Sequence, residues 1–171
     1  MVGSDGPVEG MGVTAGAAGA CAAIDGVRVT PRRQIVDERG KVMHMLRADD
    51  PEFEQFGEVY FSAVNPGAIK AWHLHTRMTL NYVCVHGLIK LVLYDGRDES
   101  PTSGARMELF LGPESHQLVS VPPGVWNGFK GIAGEPSIVC NCATIPHDPG
   151  EIQRMPPDWA EIGYDWAIRH G

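Results

Sequence analysis

The stretch Gly67-Ala-Ile-Lys70-Ala-Trp-His73-Leu-His75 decides how this chain is read. On a strand, residues two apart project from one face, so His73 and His75 would point together into a barrel or out of it. Such a pair is either a surface pair or a functional one, because imidazoles ligate metals and exchange protons near neutral pH. The surrounding sequence supports the strand. Turn signals recur at Asp37-Glu-Arg-Gly40, Asn65-Pro-Gly67, His86-Gly87, Asp95-Gly96, Gly112-Pro113, Pro122-Pro-Gly124, Gly131-Ile-Ala-Gly134 and Asp148-Pro-Gly150. Between them lie short β-branched, aromatic and aliphatic runs at 58–64, 81–85, 88–94, 107–111, 117–121 and 137–144. Many short strands at near-regular spacing predict an all-β sandwich or barrel. Helical signal is weak: residues 49–56, and residues 158–162 with Asp158 as an N-cap, predict short peripheral helices.

The chain has 171 residues, enough for one domain around one core. With 43% apolar and 20% charged residues it reads as globular. A net charge of -7 argues against nucleic-acid binding, and no apolar run approaches a membrane span. Residues 1–26 read as a flexible Gly/Ala-rich tail, with a strand-swapping arm as the alternative, and residues 27–171 as the single domain. Residues 1–23 hold no Lys or Arg and no secretory pattern, which points to the cytoplasm. The four cysteines, Cys21, Cys84, Cys140 and Cys142, form no Cys-x-x-Cys pair and read as free buried thiols.

Gly67, His73, His75 and Gly87 fall in register with the first motif of the cupins, a jelly-roll barrel family. The glutamate of that motif lands on Thr79 or Leu80, and the histidine of the second motif, after Pro122-Pro-Gly124-Val-Trp, is Asn127. With two of four expected ligands missing, no metal is expected. His86 and His116 read as surface residues at strand ends.

Five segments, in order from Ile35 to Trp166, narrow the match: Asp37-Glu-Arg39-Gly40, Gly67 to His73, Asp95-Gly-Arg97-Asp-Glu-Ser100-Pro-Thr102-Ser-Gly104, Pro122 to Phe129, and Asp158 to Trp166. Together they resemble the dTDP-4-dehydrorhamnose 3,5-epimerase family, cupins that work without a metal or other cofactor. The resemblance implies a cupin-type double-stranded β-helix, a nucleotide-linked 4-keto-6-deoxy sugar as substrate, a homodimer, and a role in deoxysugar or surface-polysaccharide synthesis. It makes His73 the base that removes a proton beside the ketone, and Asp158 the carboxylate that orients it. Arg39, Lys70, His75, Asn127 and His147 become the substrate-binding residues.

The departures fall at the reacting positions. The family's lysine, which steadies the enolate, is Leu80 or Asn81 here. Its opposite-face tyrosine is His147, and its arginine is Lys70. Lys70 is therefore expected to take over the enolate charge, and one carbon alone is expected to invert. The bland alternatives are a surface Lys70, a helix-capping Asp158, and Trp72 and Trp126 as core. The competing functions are a non-catalytic sugar-nucleotide or carbohydrate binding module and a metal-dependent cupin using His73 and His75.

Overall fold

A computed structural model describes residues 23–168. Its regular structure is strand throughout: β1 (Arg28–Pro31), β2 (Gln34–Asp37), β3 (Gly40–Met43), β4 (Glu58–Val64), β5 (Ile69–His75), β6 (Leu80–His86), β7 (Ile89–Asp95), β8 (Arg106–Leu111), β9 (Gln117–Val121), β10 (Val125–Gly131), β11 (Ser137–Ala143) and β12 (Ile152–Arg154). Ten strands form two antiparallel five-stranded sheets, β1-β9-β6-β11-β4 (sheet I) and β12-β5-β10-β7-β8 (sheet II), and β2 and β3 make a separate hairpin. This is the jelly-roll barrel that the cupin resemblance implies.

The expected peripheral helices are absent among the described residues. At 47–50 the Asp50 carboxylate takes the Arg47 backbone N–H at 2.7 Å, a local bond that competes with helix formation. At 158–162 the chain makes one turn after Pro156-Pro157 and is stopped by Gly163, whose φ of +55° closes it with a bond from its N–H to the Trp159 carbonyl. One turn is too short to hold as a helix. No helix among the described residues is long and apolar enough to cross a membrane.

The barrel interior holds an apolar core, built from residues such as Leu80, Leu91, Leu93, Val119 and Val139. Ile24, three residues before the predicted domain start, is already buried in it; residues 1–22, and with them Cys21 and most of the predicted tail, lie outside the described residues. Cys84, Cys140 and Cys142 are free and buried, as expected. A second apolar cluster lies on the other face of sheet II, where Ile162, Tyr164 and Trp166 of the C-terminal segment pack on Trp72, Val92 and Trp126. The Trp72 ring centroid is 5.1 Å from that of Trp166 and 6.0 Å from that of Tyr164. Both tryptophans of the sequence motifs are therefore core.

The loop after β7 is held by one carboxylate. Asp95, fully buried, accepts from Arg97 Nε at 2.8 Å and Nη2 at 2.9 Å, and from the hydroxyls of Ser100 and Thr102 at 2.6 Å each. Burial works to raise its pKa, and these donors outweigh it, leaving the carboxyl far below its ordinary range. Thr102 and Arg97 also bond the backbone of Asp25, fixing the chain's entry into the barrel. The motif Asp95 to Gly104 is thus a structural knot.

His116 corrects the surface reading: it is buried, and its Nε2 meets the His44 carbonyl at 2.7 Å, joining the β3 exit to the β9 entry. His86 is half-exposed, 3.4 Å from Glu135.

Candidate active site

Strand alternation on β5 divides its residues between two environments. Trp72 and Leu74 face the C-terminal segment, while His73 and His75 face the space between the sheets. Lys70 is three residues from His73 and would fall on the opposite face of a regular strand. The pairing of β5 with β10 slips here: Asn127 sits opposite His73, and Phe129 opposite Lys70. Three steps on β5 thus match two on β10, a bulge that returns Lys70 to the same face as His73. Gly128 permits the close approach at the slip, since a Cβ there would lie 2.4 Å from that of Ala71.

The result is a cavity of about 450 Å³, within the range of small-molecule sites. Sheet II contributes Lys70, His73, His75, Phe129 and Arg154 to its wall. Sheet I contributes Glu58, Tyr60 and Ser62 from β4, Tyr82 from β6 and Asn141 from β11, and His147 reaches in from the loop after β11.

Both walls are braced by hydrogen bonds. Lys70 Nζ donates to Ser62 Oγ at 2.7 Å, across the gap between the sheets. Tyr82 donates its hydroxyl proton to Asn127 Oδ1 at 3.2 Å, and Asn127 Nδ2 donates to the His73 carbonyl at 3.0 Å. Asn127 is fully buried behind His73, where it fixes that residue's backbone.

His73 is half-buried, and its pKa is pushed down to about 4, first by burial and then by the neighbouring Arg154, His75 and Lys70. It is a neutral imidazole at pH 7, able to accept a proton. His75 is buried, and its Nδ1 makes a short hydrogen bond with Glu151 Oε1. Glu151 Oε2 takes backbone N–H groups from Thr76 at 3.1 Å and Arg77 at 3.2 Å. Burial acts to raise the pKa of this carboxyl, but the His75 bond and the backbone donors hold it below its ordinary value.

The residues expected from the sequence therefore separate into two groups. His73, His75, Lys70 and His147 converge on the cavity, with Asn127 directly behind. Asp158 does not join them. It is exposed on the segment that covers the outer face of sheet II, and no hydrogen bond or ion pair links it to His73. The strand itself explains this, because the face of β5 that meets the C-terminal segment is the one opposite His73. Arg39 is also elsewhere: it is 85% exposed in the β2–β3 turn, paired with Asp37. Leu80 and Asn81, where the family's lysine was sought, are buried.

Tyr60, Asn141, Glu151 and Arg154 are site residues that the sequence reading missed. The alternation Glu58-Val-Tyr60-Phe-Ser62 carried a signal, with three polar side chains on one face of a predicted strand. Glu151 carried none, being 76 residues from its histidine. Among the described residues, no group of three or more His, Cys, Asp or Glu side chains is placed to hold a metal.

Comparison with known proteins agrees with this geometry. Residues 21–170 match the model of the family described as dTDP-4-dehydrorhamnose 3,5-epimerase. The chain is 36% identical over 154 residues to a probable low-salt glycan biosynthesis epimerase, Agl13, of Haloferax volcanii, covering 86% of this chain and 98% of that protein. It is 31% identical to the spore coat polysaccharide biosynthesis protein SpsL of Bacillus subtilis, covering 84% of this chain and 96% of that one. A crystal structure of a dTDP sugar isomerase from Desulfovibrio desulfuricans superposes with a TM-score of 0.83 at 45% identity, covering 86% of this chain and 94% of the other. A barrel with a basic, histidine-bearing cavity, matched along nearly its whole described length, places the chain in the dTDP-4-dehydrorhamnose 3,5-epimerase family as a sugar-nucleotide epimerase.

Proposed function

We propose that the protein inverts a carbon beside the ketone of a nucleotide-linked 4-keto-6-deoxy hexose, with His73 as the base. The observation that carries this reading is the neutral imidazole of His73 in the cavity wall, flanked by Lys70 and Arg154. A hydrogen next to a carbonyl is acidic because the electron pair left behind spreads onto oxygen. A neutral imidazole takes that proton, and a nearby cation stabilises the oxyanion. Lys70 and Arg154 supply positive charge for the enolate oxygen and for the substrate's diphosphate. Asn127 holds the His73 backbone, and His75 and His147 bind the sugar. The protein works as a homodimer in the cytoplasm, where nucleotide sugars are supplied. The apolar Val36, Val42 and Phe61, exposed on the β2–β3 hairpin and β4, support the association.

A second reading exchanges the roles of the two imidazoles, because it is His75 that carries a carboxylate partner. Proton NMR in deuterium oxide separates the readings. With dTDP-4-keto-6-deoxyglucose and its UDP and CDP counterparts, the wild-type enzyme exchanges a proton at C3 or C5. His73→Asn lowers that exchange by roughly 10²–10⁴-fold, and His75→Asn lowers it less. The reverse order makes His75 the base. Binding without exchange at either carbon in the wild type would leave a binding module.

A further inference from the structure

Inversion needs a proton donor on the face of the sugar opposite the base, and the position matched to the family's tyrosine is His147. We infer that Tyr60, on the wall facing His73, is that donor. The inference rests on the base being an imidazole of β5, and it holds for either His73 or His75.

Three observations carry it. The first is placement. Both β4 and β5 run away from the same turn at Asn65-Pro66-Gly67, one in sheet I and the other in sheet II. Counted outward from that turn, the cavity-facing residues are Ser62, Tyr60 and Glu58 on β4, and Lys70, His73 and His75 on β5. The Lys70–Ser62 bond ties the first pair across the gap. The next pair is Tyr60 and His73. Packed sheets stand about 10 Å apart, which leaves room for a sugar ring with the imidazole on one face and the phenol on the other.

The second observation is the direction of a hydrogen bond. Asn141 Nδ2 lies 3.0 Å from the Tyr60 hydroxyl oxygen. Its amide cannot be turned round, because Asn141 Oδ1 accepts the backbone N–H of Asn81 at 2.9 Å, and a backbone N–H can only donate. Asn141 therefore donates to Tyr60. The phenol's own proton has no hydrogen-bond acceptor among the described residues, and the side chain lines the cavity.

The third is chemical. Burial raises the Tyr60 pKa, and the hydrogen bond donated by the fully buried Asn141 amide works against that, steadying the phenolate left after proton transfer. Tyr82 differs in just this respect, since its proton is committed to Asn127.

The step balances without a further reactant. The carbon–hydrogen bond breaks, its proton goes to the base, and its electron pair forms the enolate. The enolate carbon then forms a bond to the Tyr60 hydroxyl proton on the other face, leaving a phenolate. Solvent takes the proton from the imidazolium and returns one to the phenolate.

The experiment follows exchange and inversion separately in deuterium oxide, using whichever of the dTDP-, UDP- and CDP-linked 4-keto-6-deoxyhexoses the wild-type enzyme inverts. Tyr60→Phe removes one hydroxyl from a side chain that is 39% exposed, and near-UV circular dichroism checks its fold. The expected result is inversion slowed in kcat by about 10²–10³-fold, with solvent deuterium still entering the unreacted substrate at a rate within about threefold of wild type. His147→Asn is expected to raise KM and to keep inversion and exchange in their wild-type ratio. Inversion at the wild-type kcat in Tyr60→Phe overturns the inference. So does exchange without inversion in His147→Asn, which assigns the donor there. Loss of exchange together with inversion in Tyr60→Phe also overturns it, because a donor on the opposite face is not needed to remove the first proton. Undiminished exchange in both His73→Asn and His75→Asn would instead sink the base assignment.

Discussion

Asp95 and Glu151 are both buried carboxylates with several hydrogen-bond partners, yet they serve different ends. Asp95 meets a guanidinium and two hydroxyls, all within seven residues along the chain. Its partners saturate it, and it ties a loop. Glu151 meets the backbone of residues more than 70 positions away and the ring of His75, which stands in the cavity. A saturated local knot needs fixed spacing, so it writes a strong sequence motif. A carboxylate that supports a cavity imidazole needs only to arrive in the right place, so it writes none. The Asp95 to Gly104 motif therefore marks architecture, and the site is assembled from residues scattered over several strands.

The sharpest way to break that contrast is Glu151→Ala. It strands His75 and the backbone donors in a buried setting, so we expect a stability loss of about 3 kcal/mol and a fall in kcat of at least ~10², read by urea denaturation and steady-state kinetics. Next comes Asp95→Ala. It should cost about 3 kcal/mol as well, by leaving Arg97 without its partner, while kcat of the folded protein stays within about twofold. A large kcat loss there would erase the distinction between the two carboxylates.

Acid titration sharpens the description of the cavity. His73 has a folded pKa lowered to about 4 from an ordinary 6.5. The unfolded chain therefore binds a proton in the window between these values that the folded protein refuses. Stability from this residue is complete above pH 6.5 and is lost as the pH falls toward 4. His73→Asn should accordingly lose less stability than the wild type across that window. In the wild type, kcat/KM should hold as pH falls from neutrality and drop only near pH 4. The smallest effect is expected from Arg154→Gln. Removing that cation lets the His73 pKa rise toward its ordinary range, so the acid limb of kcat/KM moves upward in pH. An unmoved limb would mean that Arg154 does not act on His73.

Much of the fold was legible in advance. Turn residues bounded the runs at 58–64 and 117–121 where β4 and β9 begin and end, and the remaining predicted runs differ from the observed strands by one residue at one end or at both. The helices expected at 49–56 and 158–162 failed because local side-chain bonds and Gly163 ended each segment within a turn. Within the site, His73, His75, Lys70 and His147 were named from the sequence and do meet. Asp158 was named and does not, because motif order along the chain says nothing about which face of β5 a later segment will cover.

The sequence by itself determined the alternating strands, the turns between them, the family, and the pair of histidines on one face of β5. Those are local properties, set by side-chain periodicity and backbone freedom over a few residues. Tertiary structure alone decided that Glu151 rather than Asp158 supports a cavity histidine, that a bulge brings Lys70 round to His73, and that Asn141 donates to the hydroxyl of Tyr60 in the cavity wall. Each of these depends on strand register and on contacts between distant residues, where a shift of one position reverses the face a side chain presents.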